Sequence, residues 1–388
     1  MDIHTLVTEV KAYTQRHLPQ YINELTQLCA IDSPSSHKPG LDEIAGYLRG
    51  RMRDLGMNAN VIERGAYGND VLGILHGGGK GTMLLLGHTD TVYPLGTAAA
   101  RPARVEDDII YGPGVNDMRG GILSGIYAIE ALLSIGYHSF GEIRFLCVSD
   151  EEIEDRHSED LLGEASQNCQ VALVLEAARA NGDIVSARKG LTNYTLSVRG
   201  RSAHSGVEPE RGVNALVELS HQILQFQSLN GWRDGVTINI GVASGGTVWN
   251  VVPDFAEAHI EMRYILPQDR IDTEMQWRKM MQHKLLPNAE IELDAEVTLR
   301  SHPMVCTPES LALAQQAQNI AQMLDFSVNH VLTGGASDAN WTSNYGVPSL
   351  DGLGPIGGFD HSPDEYLVLS SVPDRTALFA GLIAKTGA

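Results

Sequence analysis

Short apolar runs and amphipathic stretches alternate along the chain. Residues 70–76, 82–87, 143–149 and 171–175 are rich in Val, Leu and Ile, the pattern of strands buried on both faces. Ahead of them, Ile44, Tyr47, Leu48, Met52 and Leu55 keep a 3.6-residue period that stops at Gly56, which predicts a helix. Residues 120–135 place Ile122, Ile126, Ile129 and Leu133 on one face. A strand–helix–strand unit of this kind calls for a mostly parallel sheet. From about residue 190 the grammar changes to strand (193–198), helix (212–227), strand (236–242), strand (256–264), helix (268–284) and strand (290–297), an order that is ferredoxin-like. Signals of the first kind resume at 310–324 and 347–350. The expected fold class is therefore α/β, a mostly parallel-sheet domain made of residues 1–188 and 301–388, with an α+β domain inserted at 189–300. Neither an internal repeat nor a low-complexity tract interrupts this reading.

Composition narrows the function classes. The 388 residues carry 28 Lys and Arg against 48 Asp and Glu, a formal charge of −20, which opposes the phosphate contacts that nucleic acids and anionic membranes reward. Neither partner is expected. Charges at Asp2, Glu9 and Lys11 interrupt the first residues where a secretory signal would be apolar, and no eighteen apolar residues run together. A cytoplasmic location is expected. Cys29, Cys147, Cys169 and Cys306 are far apart and form no CxxC pair, so reduced, structural thiols are expected rather than disulfides or a thiolate zinc site.

Three of the buried runs end in residues that bind metals or move protons. MLLLGHTDTVYP delivers His88 and Asp90, IRFLCVSDEE delivers Asp150, Glu151 and Glu152, and VALVLEAAR delivers Glu176. Ligands of open parallel sheets sit at the carboxyl ends of strands, so these side chains can converge. The glycine-rich YGPGVNDMRGG adds Asp117, and GGFDHSPDEY offers His361. Imidazole with several carboxylates is the ligand set of zinc or a similar divalent ion, and two ions sharing a carboxylate clamp an attacking water. His88, Asp117, Glu152, Glu176 and His361 make five ligands, with Asp90 placed to orient the His88 ring. Glu151 and Glu152 also read as an ordinary solvated acidic turn continued by Glu154 and Asp155. Two other chemistries fail on their details. GGASDA lacks the last glycine of a nucleophile elbow around Ser337, and HGGGKGT has Gly81 where a phosphate loop needs Ser or Thr, so a hairpin turn is expected there.

These motifs resemble the dinuclear zinc amidohydrolases that include glutamate carboxypeptidase, acetylornithine deacetylase, succinyl-diaminopimelate desuccinylase and aminoacylase. The resemblance spans nearly the whole chain, through GHTDTVYP, YGPGVNDMRGG, SDEE, LVLEAAR, GRSAHSGVEPERGVNAL, NVVP, MRY, GGASD and FDHSPDEY in that order. GRSAHSGVEPERGVNAL is most similar to the glutamate carboxypeptidase branch. The resemblance implies two Zn²⁺ per chain, with Co²⁺ or Mn²⁺ as substitutes. One ion would be held by His88, Asp117 and Glu176, the other by Asp117, Glu152 and His361, with Asp117 bridging. It also implies Glu151 as general base and Asp90 as orienter of the first histidine, with the inserted domain as a lid and dimer contact. His204 of the lid would polarise the scissile carbonyl, commonly from the partner subunit. Asn250 and Arg263 would receive the substrate's carbonyl oxygen and terminal carboxylate. One departure stands out: Ile153, Glu154, Asp155 and Arg156 follow the paired glutamates where the family usually has glycine and serine.

The expected reaction is metal-assisted hydrolysis of an amide or peptide bond beside a free carboxylate, in a homodimer acting on small peptides or N-acyl amino acids. An N-acyl amino-acid deacylase is the alternative within enzymes. A metal-binding scaffold without catalysis is the alternative outside them, and Glu151 argues against it.

Overall fold

The computed structural model of the chain describes residues 1–153, 155 and 157–387, with the backbone alone for 296–300. Glu154 and Arg156, part of the departure after the paired glutamates, lie outside the described residues. The chain forms two compact units: Met1–Ala187 with Cys306–Thr333 and the chain from Ser337 onward, and Arg188–Val305 with Gly334–Ala336. The short segment 334–336 thus groups with the second unit, where no helix or strand signal announced it.

Among the described residues, the main sheet of the first unit has six strands. Their order is Asn58–Ile62, Asp70–His76, Glu142–Val148, Thr82–His88, Val171–Val174 and Ser349–Leu350. The last four run parallel, and the first two pair antiparallel at one edge. Met83, Leu84, Leu85 and Leu86 are all buried, because a central parallel strand is covered on both faces. Each such side chain contributes roughly 1.5–3 kcal/mol when it leaves water. The helices Ile3–Cys29, Gly120–Ser134 and Ser371–Thr386 pack against one another and share one apolar core with the sheet. No helix among the described residues is long and apolar enough to cross a membrane.

The hairpin expected at HGGGKGT is not there. Asp70–His76 and Thr82–His88 do not pair, because Glu142–Val148 lies between them and bonds to both. Residues 77–81 instead cross the end of that middle strand, with Gly77 N–H donating to Gly141 O and Gly79 N–H to Phe140 O. The glycines are required by proximity rather than by a turn. A Cβ at Gly77 would stand 2.1 Å from Phe140 O, and one at Gly141 2.0 Å from Gly81 O. Ser337 is likewise no nucleophile: it caps the helix Asp338–Asn344 and donates to Asp351 at 2.6 Å while buried.

The second unit has a four-stranded antiparallel sheet in the order Thr237–Gly245, Phe255–Tyr264, Gly190–Arg199 and Glu290–Ser301, with the helices Ala215–Gln227 and Pro267–Met280. This is the ferredoxin-like arrangement that the element order predicts. Trp277 centres its separate core, stacked on Phe226 at 4.8 Å and edge-on to Tyr194 at 5.1 Å.

Two kinds of glycine separate packing from propensity. Gly46 and Gly50 lie in the helix Lys38–Asp54 with nothing near a new Cβ, whereas a Cβ at Gly121 would meet Leu175 O at 1.9 Å. Gly46→Ala and Gly50→Ala should each raise unfolding stability by about 0.5–1 kcal/mol. Gly121→Ala should lower it sharply, and urea unfolding of the three variants decides both.

Candidate active site

Adjacent strands of the main sheet bring the chemistry together. Glu142–Val148, Thr82–His88 and Val171–Val174 are parallel neighbours, and parallel strands about 4.8 Å apart present their carboxyl ends side by side. His88 closes the middle strand and is 1% exposed. Glu151 and Glu152 open a short 3₁₀ turn after one neighbour, and Glu176 follows the other. Asp117 comes from the turn before the helix Gly120–Ser134. His361 lies in a C-terminal loop at φ 63°, in a left-handed conformation, with its side chain half exposed.

Asp117 stands at the centre. Its Oδ1 lies 2.9 Å from His88 Nε2, and its Oδ2 lies 3.0 Å from His361 Nε2. Glu152 Oε2 is 3.3 Å from His361 Nε2, while Glu176 Oε1 and Glu151 Oε2 are 3.7 and 4.0 Å from His88 Nε2. On the other edge of the His88 ring, Nδ1 faces Asp90 Oδ1 at 3.2 Å and Asp90 O at 3.1 Å. Asp90 is in turn held by the Ser35 hydroxyl at 2.6 Å and by the Glu152 N–H at 3.1 Å. All seven side chains named for this cluster from the sequence are therefore together. The second unit holds the other three. His204 and Asn250 are exposed on paired segments, with Ser205 N–H donating to Asn250 O at 3.0 Å. Arg263 meets Glu261 with two nitrogens, at 2.7 and 3.2 Å, and donates to Gly334 O.

The charges of the cluster are strongly coupled. Burial disfavours the imidazolium of His88, yet its bonds to Asp117 and Asp90 and the charge of Glu151 hold its pKa well above the usual range. His361 is pushed up to about 11 by its bonds to Asp117 and Glu152. Burial would raise Asp117, but the two imidazoles lower it below the usual carboxylate range. Glu151 is raised well above the ordinary value, first by burial and then by Glu176 and Glu152, with His88 opposing. Asp155 and Asp338, also buried, are raised by burial and by neighbouring carboxylates.

Sequence reasoning missed two supporting residues. Ser35 sits in SPSSHK, where nothing marks it. Glu365 lies four residues after His361, and that spacing was the one available clue. Its buried carboxylate accepts N–H bonds from Gly114, Asn116 and Asp117 and the hydroxyl of Tyr93. Burial pushes its pKa up to about 7 against those bonds.

A carboxylate with an imidazole nitrogen opposite each of its oxygens, ringed by further carboxylates, is the donor set of divalent ions joined by a bridging carboxylate. His88, Asp117 and Glu152 alone offer three ligand atoms within 4.8 Å of one another. The site residues fit such a centre. A family model described as peptidase family M20/M25/M40 matches residues 84–385. The chain belongs to that family. Among its relatives, carboxypeptidase G2 of Pseudomonas sp. (strain RS-16) is 28% identical over 377 residues, which are 95% of this chain and 90% of that protein. Succinyl-diaminopimelate desuccinylase of Maricaulis maris is 29% identical over 77% of this chain and 80% of its own. The crystal structure of aminopeptidase PepT from Bacillus cereus matches 96% of this chain and 99% of its own, with a TM-score of 0.81 at 21% identity. This M20 protein is thus a hydrolase of a metal-dependent family, with an α/β catalytic domain and a second, α+β domain.

In this M20 hydrolase the raised imidazole pKa values dictate the sign of metal–proton linkage. With its pKa pushed up to about 11, the His361 ring carries a proton at neutral pH without a cation, and a cation binds only the neutral ring. Metal loading should therefore release protons, and apparent affinity should rise with pH across the neutral range. Calorimetric titration with Zn²⁺ in buffers of different ionisation enthalpy checks this. A heat that does not depend on the buffer would contradict it.

Proposed function

We propose that this chain cleaves an amide or peptide bond next to a free C-terminal carboxylate, in the manner of a glutamate carboxypeptidase. The observation that carries the reading is Asp117 between His88 and His361, with Glu151 beside them. Similarity to carboxypeptidase G2 over nearly the whole chain supports the carboxypeptidase branch. His88, Asp117 and Glu176 would hold one divalent ion, and Asp117, Glu152 and His361 the other, zinc in the first place with cobalt or manganese able to substitute. Such ions polarise a carbonyl and lower the pKa of a bound water to about 7.

The protein groups then divide the work. Glu151 accepts the proton of the attacking water and hands it to the leaving nitrogen. Asp90 fixes the tautomer and orientation of His88 through Nδ1. His204 donates to the oxygen on which charge develops, Asn250 supports that oxygen, and Arg263 pairs with the terminal carboxylate of a small peptide or N-acyl amino acid. The chain's net charge of −20 argues against a nucleic-acid partner, and a cytoplasmic location belongs to the same reading.

A homodimer through the inserted domain is part of the reading. Thr237–Gly245 is an edge strand of its sheet, with Val242 exposed, and Leu216, Val217 and Leu224 stand exposed on the helix Ala215–Gln227. An open edge beside an apolar helix face is a surface that proteins normally cover. His204 would then act across the dimer. The desuccinylase relatives support a second reading, an N-acyl amino-acid deacylase, which hydrolysis of a C-terminal glutamyl dipeptide compared with N-acetylornithine separates. No turnover of any amide by the metal-loaded protein would favour the scaffold reading, which Glu151 opposes.

Glu151→Gln should keep about two ions per chain by elemental analysis while turnover falls about 10²- to 10⁴-fold, because an amide cannot take the water's proton. Surviving activity with lost metal would show that Glu151 and Glu152 have exchanged roles. His204→Ala should lower turnover about 10²- to 10³-fold with metal retained. Mixing it with the Glu151→Gln protein should restore some activity through hybrid dimers. Unchanged kinetics would remove His204 from the mechanism, and a loss without rescue would place it in its own subunit.

A further inference from the structure

We propose that Glu365 is a positioning residue for the metal centre, a buried carboxylate that ties three ligand-bearing loops together before any ion arrives. The proposal rests on the two-ion reading above. Three segments meet at this carboxylate. Tyr93 comes from the loop that follows His88 and Asp90, residues 114–117 carry Asp117, and Glu365 itself follows His361.

A carboxylate can accept about four hydrogen bonds, and here all four places are used. Oε1 takes the N–H groups of Asn116 at 2.8 Å and Asp117 at 3.0 Å. Oε2 takes the N–H of Gly114 at 2.8 Å and the Tyr93 hydroxyl at 2.7 Å. The N–H groups of Gly114, Asn116 and Asp117 thus converge on one carboxylate from a single turn, which Gly114 helps to form in a left-handed conformation at φ 73°. The same hydroxyl of Tyr93 also reaches Ser362 O at 2.9 Å. Asn116 donates to Asp360 at 2.6 Å, and Gly357 lets the two loops close, since a Cβ there would lie 2.1 Å from Asn116 Oδ1.

The backbone nitrogen of the bridging aspartate is thus fixed by a side chain from the loop of the opposite imidazole. Outer partners of metal ligands commonly change affinity about 10- to 100-fold when altered. Glutamine at 365 keeps the shape but turns one acceptor into a donor. It then faces either the Asn116 and Asp117 N–H pair or the Gly114 N–H and Tyr93 hydroxyl. A role confined to holding the fold would lower the melting temperature and leave the affinity of the folded protein unchanged.

The test compares Glu365→Gln, Tyr93→Phe and the unaltered chain, each purified metal-free and titrated with Co²⁺ and with Zn²⁺ in metal buffers. Cobalt absorption serves as a second readout and circular dichroism as the check on folding. For Glu365→Gln the dissociation constant of the weaker site should rise at least about tenfold, with an altered cobalt spectrum. Tyr93→Phe should move the same quantities in the same direction by less. It decides the matter if Glu365→Gln does not fold. Affinity and spectrum unchanged in the deciding variant overturn the proposal while the two-ion reading stands. An unaltered chain that binds no pair of ions overturns the two-ion reading, and this proposal with it.

Discussion

Carboxylates removed from water repel one another and resist ionisation, and this molecule gathers Asp90, Asp117, Glu151, Glu152 and Glu176 around one buried imidazole. The arrangement is costly without positive charge. His88 and His361 supply some of it by holding protons far above the pH at which histidine normally loses them. Glu151 and Glu152 remain raised even so, because burial, joined by neighbouring carboxylates, outweighs His88 at Glu151 and both imidazoles at Glu152. Much of the surrounding structure can be understood as holding this unfavourable set in place. The parallel strands fix three ligand segments by backbone bonds, and the apolar core behind them leaves no easier packing for the strand ends.

The loops need a different kind of support, since no ladder holds them. Carboxylates bonded to backbone N–H groups, hydroxyls and Arg64 do that work. Asp150 accepts the His157 N–H and the Ser158 hydroxyl, and Asp70 joins Ser149, Ser158 and Arg64, so the turn after Glu151 and Glu152 is anchored at its far end. Asp32 accepts the N–H groups of Gly96 and Ala98 beyond the His88 loop. The acidic composition thus has a structural use besides its chemical one: anions that accept bonds from otherwise unpaired backbone donors.

The parts legible from sequence were those whose physics is local. Apolar runs such as 82–87 and 171–175 read as buried strands because length and composition leave little else, and the ligands read because they end those runs. The inserted unit was legible because its helices and strands alternate in one recognisable order. The 27-residue helix Ile3–Cys29 was passed over. Its buried positions, from Leu6 and Val10 to Leu25 and Leu28, are diluted by charged residues and by Pro19 inside the helix, which breaks local propensity and is carried by tertiary packing. HGGGKGT misled for a related reason: three glycines in a row look like a turn, whereas the requirement was close approach to a strand end distant in sequence. Glu365 and Ser35 act through partners 248 and 55 residues away, and no window along the chain contains such pairs.

Arg263 shows how geometry changes the meaning of a residue that sequence had marked. Its guanidinium is not waiting empty. Glu261, two positions along the same strand face, already occupies it through two bonds, and Gly334 O takes a third. In the proposed reaction a substrate carboxylate would therefore exchange with Glu261 rather than meet an unpaired cation. The pair is partly exposed, so a carboxylate contact there is worth only about 0–1 kcal/mol, and exchanging one such contact for another changes affinity little. An arginine used in this way selects and orients a carboxylate more than it tightens binding. That suits a hydrolase, because an interaction equal in ground and transition states lowers KM without raising kcat.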